Sequence, residues 1–355
     1  MVILHVATIK NNPFNGVCVV VPQHVTAQSD HAKVALLNTV NEQIGGISVQ
    51  FTYDEGVGIG GLPSPYDKPD LVVFHECYRP AYLKIAGWLR KNSIPYVLVP
   101  HGELTKEAQK KKWLKKKVAN FLLFNRFISG ARAVQFLSHR EMGLSSFGKR
   151  RFVGTNGTTV SAVDREDIGE KAKSFLYVGR LEVLTKGLDL MIKAVAKIKD
   201  EFANNGCTLS IYGPDYNGRY AEVESLIKEN CVEDIVFLNR EVSGEEKRKL
   251  LLSANVFVQT SRTEGMPLGI LEALGMGIPV LITEGTTLGE LVREYDAGYV
   301  AKTEVDDLAK TFLQAIRDKG ELRDKSKNAN RLALENFSWE TVSKKTVEDY
   351  KNLCQ

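Results

Sequence analysis

Short apolar, β-branched runs recur along the whole chain, separated by stretches whose apolar residues fall at helical spacing. The second half reads FLYVG (175–179), a helical stretch from Leu188 to Phe202, TLSIYG (208–213), IVFL (235–238), a helix over 244–254, then NVFVQTS, PLGILEALGM and IPVLIT. Strand and helix alternating at this pitch predict βαβ units and a parallel sheet. In the helix after Gly187, Leu188, Met191, Val195, Ile198 and Phe202 share one face, which marks that stripe as core. The first half repeats the pattern, with VILHV (2–6), ISVQF (47–51), DLVVF (70–74), YVLV (96–99) and AVQFL (133–137) as strand candidates. The fold expected is α/β: two Rossmann-like, doubly wound domains facing a central cleft. Their boundary falls in FVGTNGTTV (152–160), where an apolar run gives way to the turn residues Asn156 and Gly157. This predicts an N-terminal domain over 1–155, a second over 156–336, and a helix over 337–355 that crosses back to the first.

Composition narrows the class. At 355 residues the chain is long enough for two cores, and 43% apolar with 25% charged residues is a soluble globular composition. The opening MVILHVATIK is too short and lacks the flanks for a signal peptide. No run approaches the roughly 18 apolar residues of a membrane span. A cytoplasmic protein is expected, free or peripheral on the inner face of the cell membrane. Five cysteines without CxxC spacing argue for reduced thiols rather than a disulfide framework or zinc site. A net charge of +4 is too mild to indicate nucleic-acid binding.

Open parallel sheets place ligands beyond the carboxyl ends of their strands, so the residues there carry the candidate chemistry. In TEGMPLGILEALGMGIPV, Glu264 precedes Glu272 by eight positions. Pro267 suits the first turn of a helix, where its missing N–H is harmless. Backbone N–H groups of Met266, Leu268 and Gly269 would then form an anion site suited to a diphosphate. Side chains on a helix lean toward its N-terminus, so Glu272 and Glu264 reach one ligand from two sides. Two carboxylates suit the hydroxyls of a sugar and a ribose. An isolated pair so spaced reads as a capping loop with a glutamate on a helix face. The complementary charges lie elsewhere: FLYVG runs into RLEVLTKG, which puts Arg180 past a strand end and Lys186 just before a helix. Two cations there match a leaving pyrophosphate.

The pairing of GRLEVLTKG with SRTEGMPLGILEAL, followed by GMGIPV and a terminal FSWE, resembles the retaining, two-domain glycosyltransferases of the GT-B fold known as family 4 (glycosyl transferases group 1). The resemblance spans the second half of the chain. It implies that Glu264 contacts the transferred sugar, that Glu272 contacts the ribose, and that Arg180 and Lys186 hold the diphosphate. It also implies that Gly213, with Pro214, and the segment Arg240–Glu241–Val242 line the nucleotide base. Met266 and Pro267 stand where many relatives have Phe–Gly. In the first half, His101 and Gly102 of YVLVPHGELT resemble the family's His–Gly, which would let His101 bond the sugar or orient the acceptor. Gly16, in NNPFNGVCVVVPQH, resembles the glycine loop that admits a phosphate or an acceptor and counts among the donor-binding residues, although Asn15 replaces the usual first glycine. His75 and Glu76 are acceptor-side candidates, His75 also reading as a strand cap.

Two further segments carry weaker signals. Gly56, Gly58 and Gly61 have GxGxxG spacing but lead into Pro63 and Pro65 without a helix, so a dinucleotide site is rejected and a mobile loop expected. Seven lysines lie between Lys106 and Lys117, interleaved with Trp113 and Leu114. A solvated helix face, an anionic membrane surface and an acidic glycan acceptor are all readings of that segment.

The function expected is transfer of a hexose or N-acetylhexosamine from a nucleotide diphosphate sugar, a UDP-sugar for instance, to a glycan or lipid-linked acceptor in cell-surface polysaccharide synthesis. With no Asp-x-Asp and no metal-spaced cluster, no cofactor or divalent ion is expected. Resemblance to retaining enzymes implies attack on the face from which the leaving group departs, a donor phosphate oxygen taking the proton. The alternatives are a nucleotide-sugar epimerase or a phosphorylase on the same fold, or a non-catalytic membrane- or nucleotide-sugar-binding module.

Overall fold

The computed structural model describes residues 1–110, 123–161, 165, 168–169, 171–318 and 320–355. The chain forms two compact units, one of Met1–Gly157 with Trp339–Gln355 and one of Thr158–Ser338. Each is a parallel sheet flanked by helices. Of the lysine-rich segment only Lys106–Lys110 is described, as a short helix; Lys111, Lys112, Trp113, Leu114 and Lys115–Lys117 lie outside the described residues, and so does the membrane reading that rested on them. Among the described residues no helix is long and apolar enough to cross a membrane.

The first unit holds seven strands: β1 (Val2–Ala7), β2 (Lys33–Asn38), β3 (Gln50–Thr52), β4 (Leu71–His75), β5 (Tyr96–Val99), β6 (Ala133–Phe136) and β7 (Arg151–Val153). Their order across the sheet is β3-β2-β1-β4-β5-β6-β7. The sequence of connections reverses between β1 and β4, whose central residues Ile3–Val6 and Leu71–Phe74 pair in register. Strands covered on both faces are continuously apolar, and β1, VILHVA, is buried over its last five residues. Phe74, Tyr82, Tyr96 and Phe127 form an aromatic cluster whose neighbouring centroids lie 5.0 to 6.3 Å apart. The Tyr82 hydroxyl donates to the carbonyl of His75 at 2.9 Å, so the helix Pro80–Lys91 fixes the end of β4. The helix Trp339–Cys354 belongs to this unit: Tyr350 is buried and donates to Gln135 on β6 at 2.6 Å.

The second unit has six strands: β8 (Ser174–Val178), β9 (Thr208–Tyr212), β10 (Val236–Asn239), β11 (Val256–Gln259), β12 (Val280–Thr283) and β13 (Gly298–Ala301). Their order, β10-β9-β8-β11-β12-β13, reverses between β8 and β11. Phe175, Phe202 and Phe312 pack edge to face or tilted in its core.

Several expectations require correction. Strands β2, β7 and β13 were not expected as such, and the strand read at 47–51 is the shorter β3, three residues on its C-terminal side. The helix expected over 188–202 is two, Leu188–Lys197 and Lys199–Asn204, broken at Ile198 (φ −118°), and the break still leaves Phe202 fully buried. Pro267 is the N-cap residue of Leu268–Gly275 rather than a first-turn residue, since its ψ of 104° is extended. Gly16 opens the helix Gly16–Gln28 instead of lying in a loop, because the Asn15 side chain accepts from the N–H groups of Val17 and Cys18 and caps it. The glycine-rich 56–61 segment forms one 3₁₀ turn, Ile59–Gly61.

Three histidines are buried in the first unit: His5, His24 and His75. Burial lowers His5 to about 3, against the bond to Gln28, and lowers His24 to about 4, against the bond to Asn156. Below the ordinary value of 6.5 the unfolded chain takes up protons that these folded rings refuse, so stability falls as pH drops from about 6.5 toward 4. The expected loss at pH 5 is about 2 kcal/mol for each such histidine. Denaturant melts at pH 7 and pH 5 check this, and equal midpoints would refute it.

Candidate functional site

The second unit brings Lys186 and Glu264 together at the reversal point between β8 and β11. Lys186 ends the short helix Val183–Lys186 after β8, and Glu264 lies in the loop after β11. Their side chains form an ion pair, each only 13% exposed. Glu264 Oε1 also accepts from Gln259 Nε2 at 2.9 Å and from Ser261 Oγ at 2.8 Å. The carboxylate therefore keeps two neutral donors if the ammonium turns to another anion.

The geometry of that pair is set by the backbone around it. Gly187 is left-handed (φ +66°), and a Cβ there would lie 2.0 Å from the Thr260 carbonyl oxygen. Thr260 Oγ1 donates back to the carbonyl of Gly187 at 2.8 Å. Arg262 binds both carboxylate oxygens of Asp189, at 2.7 and 2.8 Å, and donates to the Leu184 carbonyl. Its guanidinium and the helix N-terminus hold Asp189 below the usual carboxylate range despite partial burial. The loops after β8 and β11 are thus joined at several points. Sequence reading missed Gln259, Ser261, Asp189 and Arg262. Ser261 and Arg262 open the recognised SRTEG run, but the partners of Asp189 and Arg262 lie 73 to 78 positions away, and no local pattern marked Gln259 or Ser261 as donors to Glu264.

The other candidates of this unit are more dispersed. Arg180 follows β8 but is half exposed and pairs with Glu182 at 2.8 Å, while its carbonyl accepts from the buried Tyr177 hydroxyl. Glu272 pairs with Lys247 of the helix Gly244–Ser253, a cation not anticipated. Leu268 and Gly269 are the first two residues of the helix Leu268–Gly275, Pro267 is buried as its cap, and Met266 packs on the adjoining core. Gly213 directly follows β9, where a Cβ would lie 2.2 Å from the Gly179 carbonyl oxygen; the loops after β8 and β9 touch there. Arg240 lies 4.3 Å over the Tyr220 ring and 4.0 Å from Asp215, and Val242 is almost buried. Among the described residues Glu264 and Glu272 share no partner.

In the first unit the candidates fall at the corresponding reversal. His75 is the last residue of β4, and its Nδ1 lies 3.0 Å from His101 Nε2. His101 is partly exposed, with φ +48°, and Gly102 follows at φ +86°. The Gly102 N–H donates to Glu141 Oε1, and the Leu137 N–H to Oε2, each at 2.7 Å. Glu141, buried and unanticipated, thereby fixes the His101–Gly102 turn. Burial, and then His24, keep His101 below the usual histidine range. Glu76 pairs with Arg79. Gly16 is exposed at the start of its helix. Among the described residues, no three His, Cys, Asp or Glu side chains gather as a metal ion would require.

Two doubly wound parallel sheets, with charged and hydrogen-bonding groups at both reversal points, define an α/β ligand-binding protein of the GT-B type. Residues 162–332 match the family described as glycosyl transferases group 1, so the Thr158–Ser338 unit is a domain of that family. Over 185 residues the chain is 30% identical to the MMP alpha-(1→4)-mannosyltransferase of Mycolicibacterium hassiacum, covering 52% of this chain and 44% of that one. It is 24% identical over 197 residues to the GDP-mannose:cellobiosyl-diphosphopolyprenol alpha-mannosyltransferase of Xanthomonas oryzae pv. oryzae, covering 55% and 51%. The chain spans about half the length of these curated relatives. Its fold matches that of Anabaena HepE in complex with UDP-glucose, with a TM-score of 0.72, 18% identity and 99% of each chain covered.

The close approach of Gly187 to Thr260 yields a test. Gly187→Ala is expected to destabilise the protein by roughly 2 kcal/mol or more, from strain and the backbone contact together. Gly206→Ala, equally left-handed (φ +64°) but with open space around the added atom, should cost about 1 kcal/mol. Equal denaturation midpoints for the two variants would rule out the contact as the constraint.

Proposed function

We propose that this chain is a retaining glycosyltransferase whose second unit binds a nucleoside diphosphate sugar and whose first unit binds the acceptor. The observation that carries this reading is the Lys186–Glu264 pair, anchored by Gln259 and Ser261 at a sheet reversal point of a group 1 domain. Lys186 turns from Glu264 to the diphosphate as charge builds on the leaving group, and Gln259 and Ser261 keep Glu264 satisfied meanwhile. Glu264 then accepts hydroxyl hydrogen bonds from the transferred sugar. Arg180, half exposed, swings from Glu182 to the diphosphate, and the N–H groups of Leu268 and Gly269 complete the anion site. Gly213, Arg240 and Val242 border the base, and Glu272 holds the ribose. His101 bonds the sugar or the acceptor.

The acceptor attacks the face from which the diphosphate leaves, and a donor phosphate oxygen takes its proton. The anomeric configuration is retained and no side chain is needed as general base. Names among the relatives and structural neighbours point to GDP-mannose and UDP-glucose as the donors to try first, and to a glycan or lipid-linked acceptor in polysaccharide synthesis.

Incubation with each donor and a panel of glycan and polyprenyl-diphosphate acceptors, the product's anomeric configuration being read by NMR, tests the reading; an inverted linkage would refute it. Lys186→Ala and Arg180→Ala should each lower kcat by about 10²-fold or more, since each removes a preorganised charge from the developing diphosphate. Rates within twofold of wild type would exclude this site. Activity should persist in excess chelator, because fixed cations do the electrostatic work of a divalent ion. Loss with EDTA that magnesium or manganese restores would overturn that.

A further inference from the structure

His101 is the end of a hydrogen-bonded chain that runs through the first unit from the buried Gln28 by way of His5 and His75, and each link in that chain can be assigned a direction. The chain starts at the amide oxygen of Gln28, which can only accept.

From Gln28 the direction passes through three imidazoles. His5 Nε2 lies 3.0 Å from Gln28 Oε1 and must carry the proton. Neutral His5 then has a lone pair on Nδ1, 2.9 Å from His75 Nε2, which must be protonated in turn. His75 Nδ1, now a lone pair, faces His101 Nε2 at 3.0 Å. Rings this buried stay neutral; burial keeps both His5 and His75 well below the usual histidine range. A cationic ring would have to donate at both ends and would break the sequence.

We infer that Gln28, His5 and His75 are positioning residues that set His101 in one tautomer, protonated on Nε2 with its lone pair on Nδ1. His101 therefore meets its substrate as a hydrogen-bond acceptor for a hydroxyl, not as a donor. The tautomer is a property of the ligand-free protein, and only the identity of the hydroxyl rests on the proposed transferase function.

The test is long-range ¹⁵N–¹H NMR of the full chain labelled on histidine, read between pH 6 and 8. Wild type should show His101 with a pyrrole-type Nε2 and a pyridine-type Nδ1 throughout. Gln28→Met and Gln28→Leu, which both remove the acceptor oxygen and leave a side chain of similar bulk, should move the signals of His5, His75 and His101 toward the opposite tautomer. In either variant kcat should fall about tenfold with KM within twofold, as expected when a correctly protonated group becomes a minor species. Should Gln28→Met fail to fold, wild type and Gln28→Leu still decide the matter. A protonated Nδ1 in wild type, or a folded Gln28 variant with unchanged histidine signals, would overturn the inference, and so would a tautomer shift with unchanged turnover. A wild-type chain with the stated tautomer but no transfer activity would instead refute the proposed function.

Discussion

The close approach of the loops after β8 and β11 is the constraint on which the second unit's chemistry depends. A parallel sheet delivers its strand ends to one edge but does not fix the loops beyond them. Here Gly187 admits the Thr260 carbonyl into the space a side chain would fill, and Arg262 grips Asp189 with both nitrogens. A lysine and a glutamate 78 positions apart are thereby held in contact in a largely water-excluded place. Such a pair gains little net stability, since desolvating two charges offsets most of their attraction. Its use lies in holding two charges at fixed positions where a diphosphate and a sugar would need them.

The first unit solves a related problem with neutral groups. His5, His75 and His101 sit on or just after β1, β4 and β5, three neighbouring strands, so their spacing follows from the sheet itself. Unpaired imidazoles this deeply placed would be costly. Hydrogen bonding each to the next removes that cost and leaves one ring nitrogen, at the partly exposed end, for a ligand. The acid sensitivity of the fold and the uniform protonation of His101 are two consequences of the same burial.

Much of this was legible in the sequence, and the remainder was illegible for physical reasons. Continuous apolar runs such as VILHV and DLVVF announced central strands because both their faces are covered. KVALLN, strand β2, was missed because Ala and Leu in a short run serve a helix equally well, and GYVA, strand β13, because four residues opened by a glycine carry no period. Lys186 and Glu264 stood out as complementary charges at strand–helix junctions. Lys247, Asp189 and Glu141 did not, since their roles come from partners that only the tertiary fold supplies. His5 read as one polar residue in an apolar strand, and nothing local tied it to Gln28 or His75.

The two units differ in how they treat charge, and the difference follows from what each would bind. A leaving diphosphate accumulates negative charge, so cations already held in place, against a carboxylate they can exchange for another anion, are the useful groups. Lys186 and Arg180 are both held that way, each against a glutamate. A hydroxyl changes charge little when it is bound and oriented, so a neutral acceptor with a fixed lone pair serves better than an ion. Burial that forbids protonation, with a hydrogen-bond chain that selects one tautomer, produces such an acceptor at His101 and holds it constant over the pH range in which an exposed histidine would titrate.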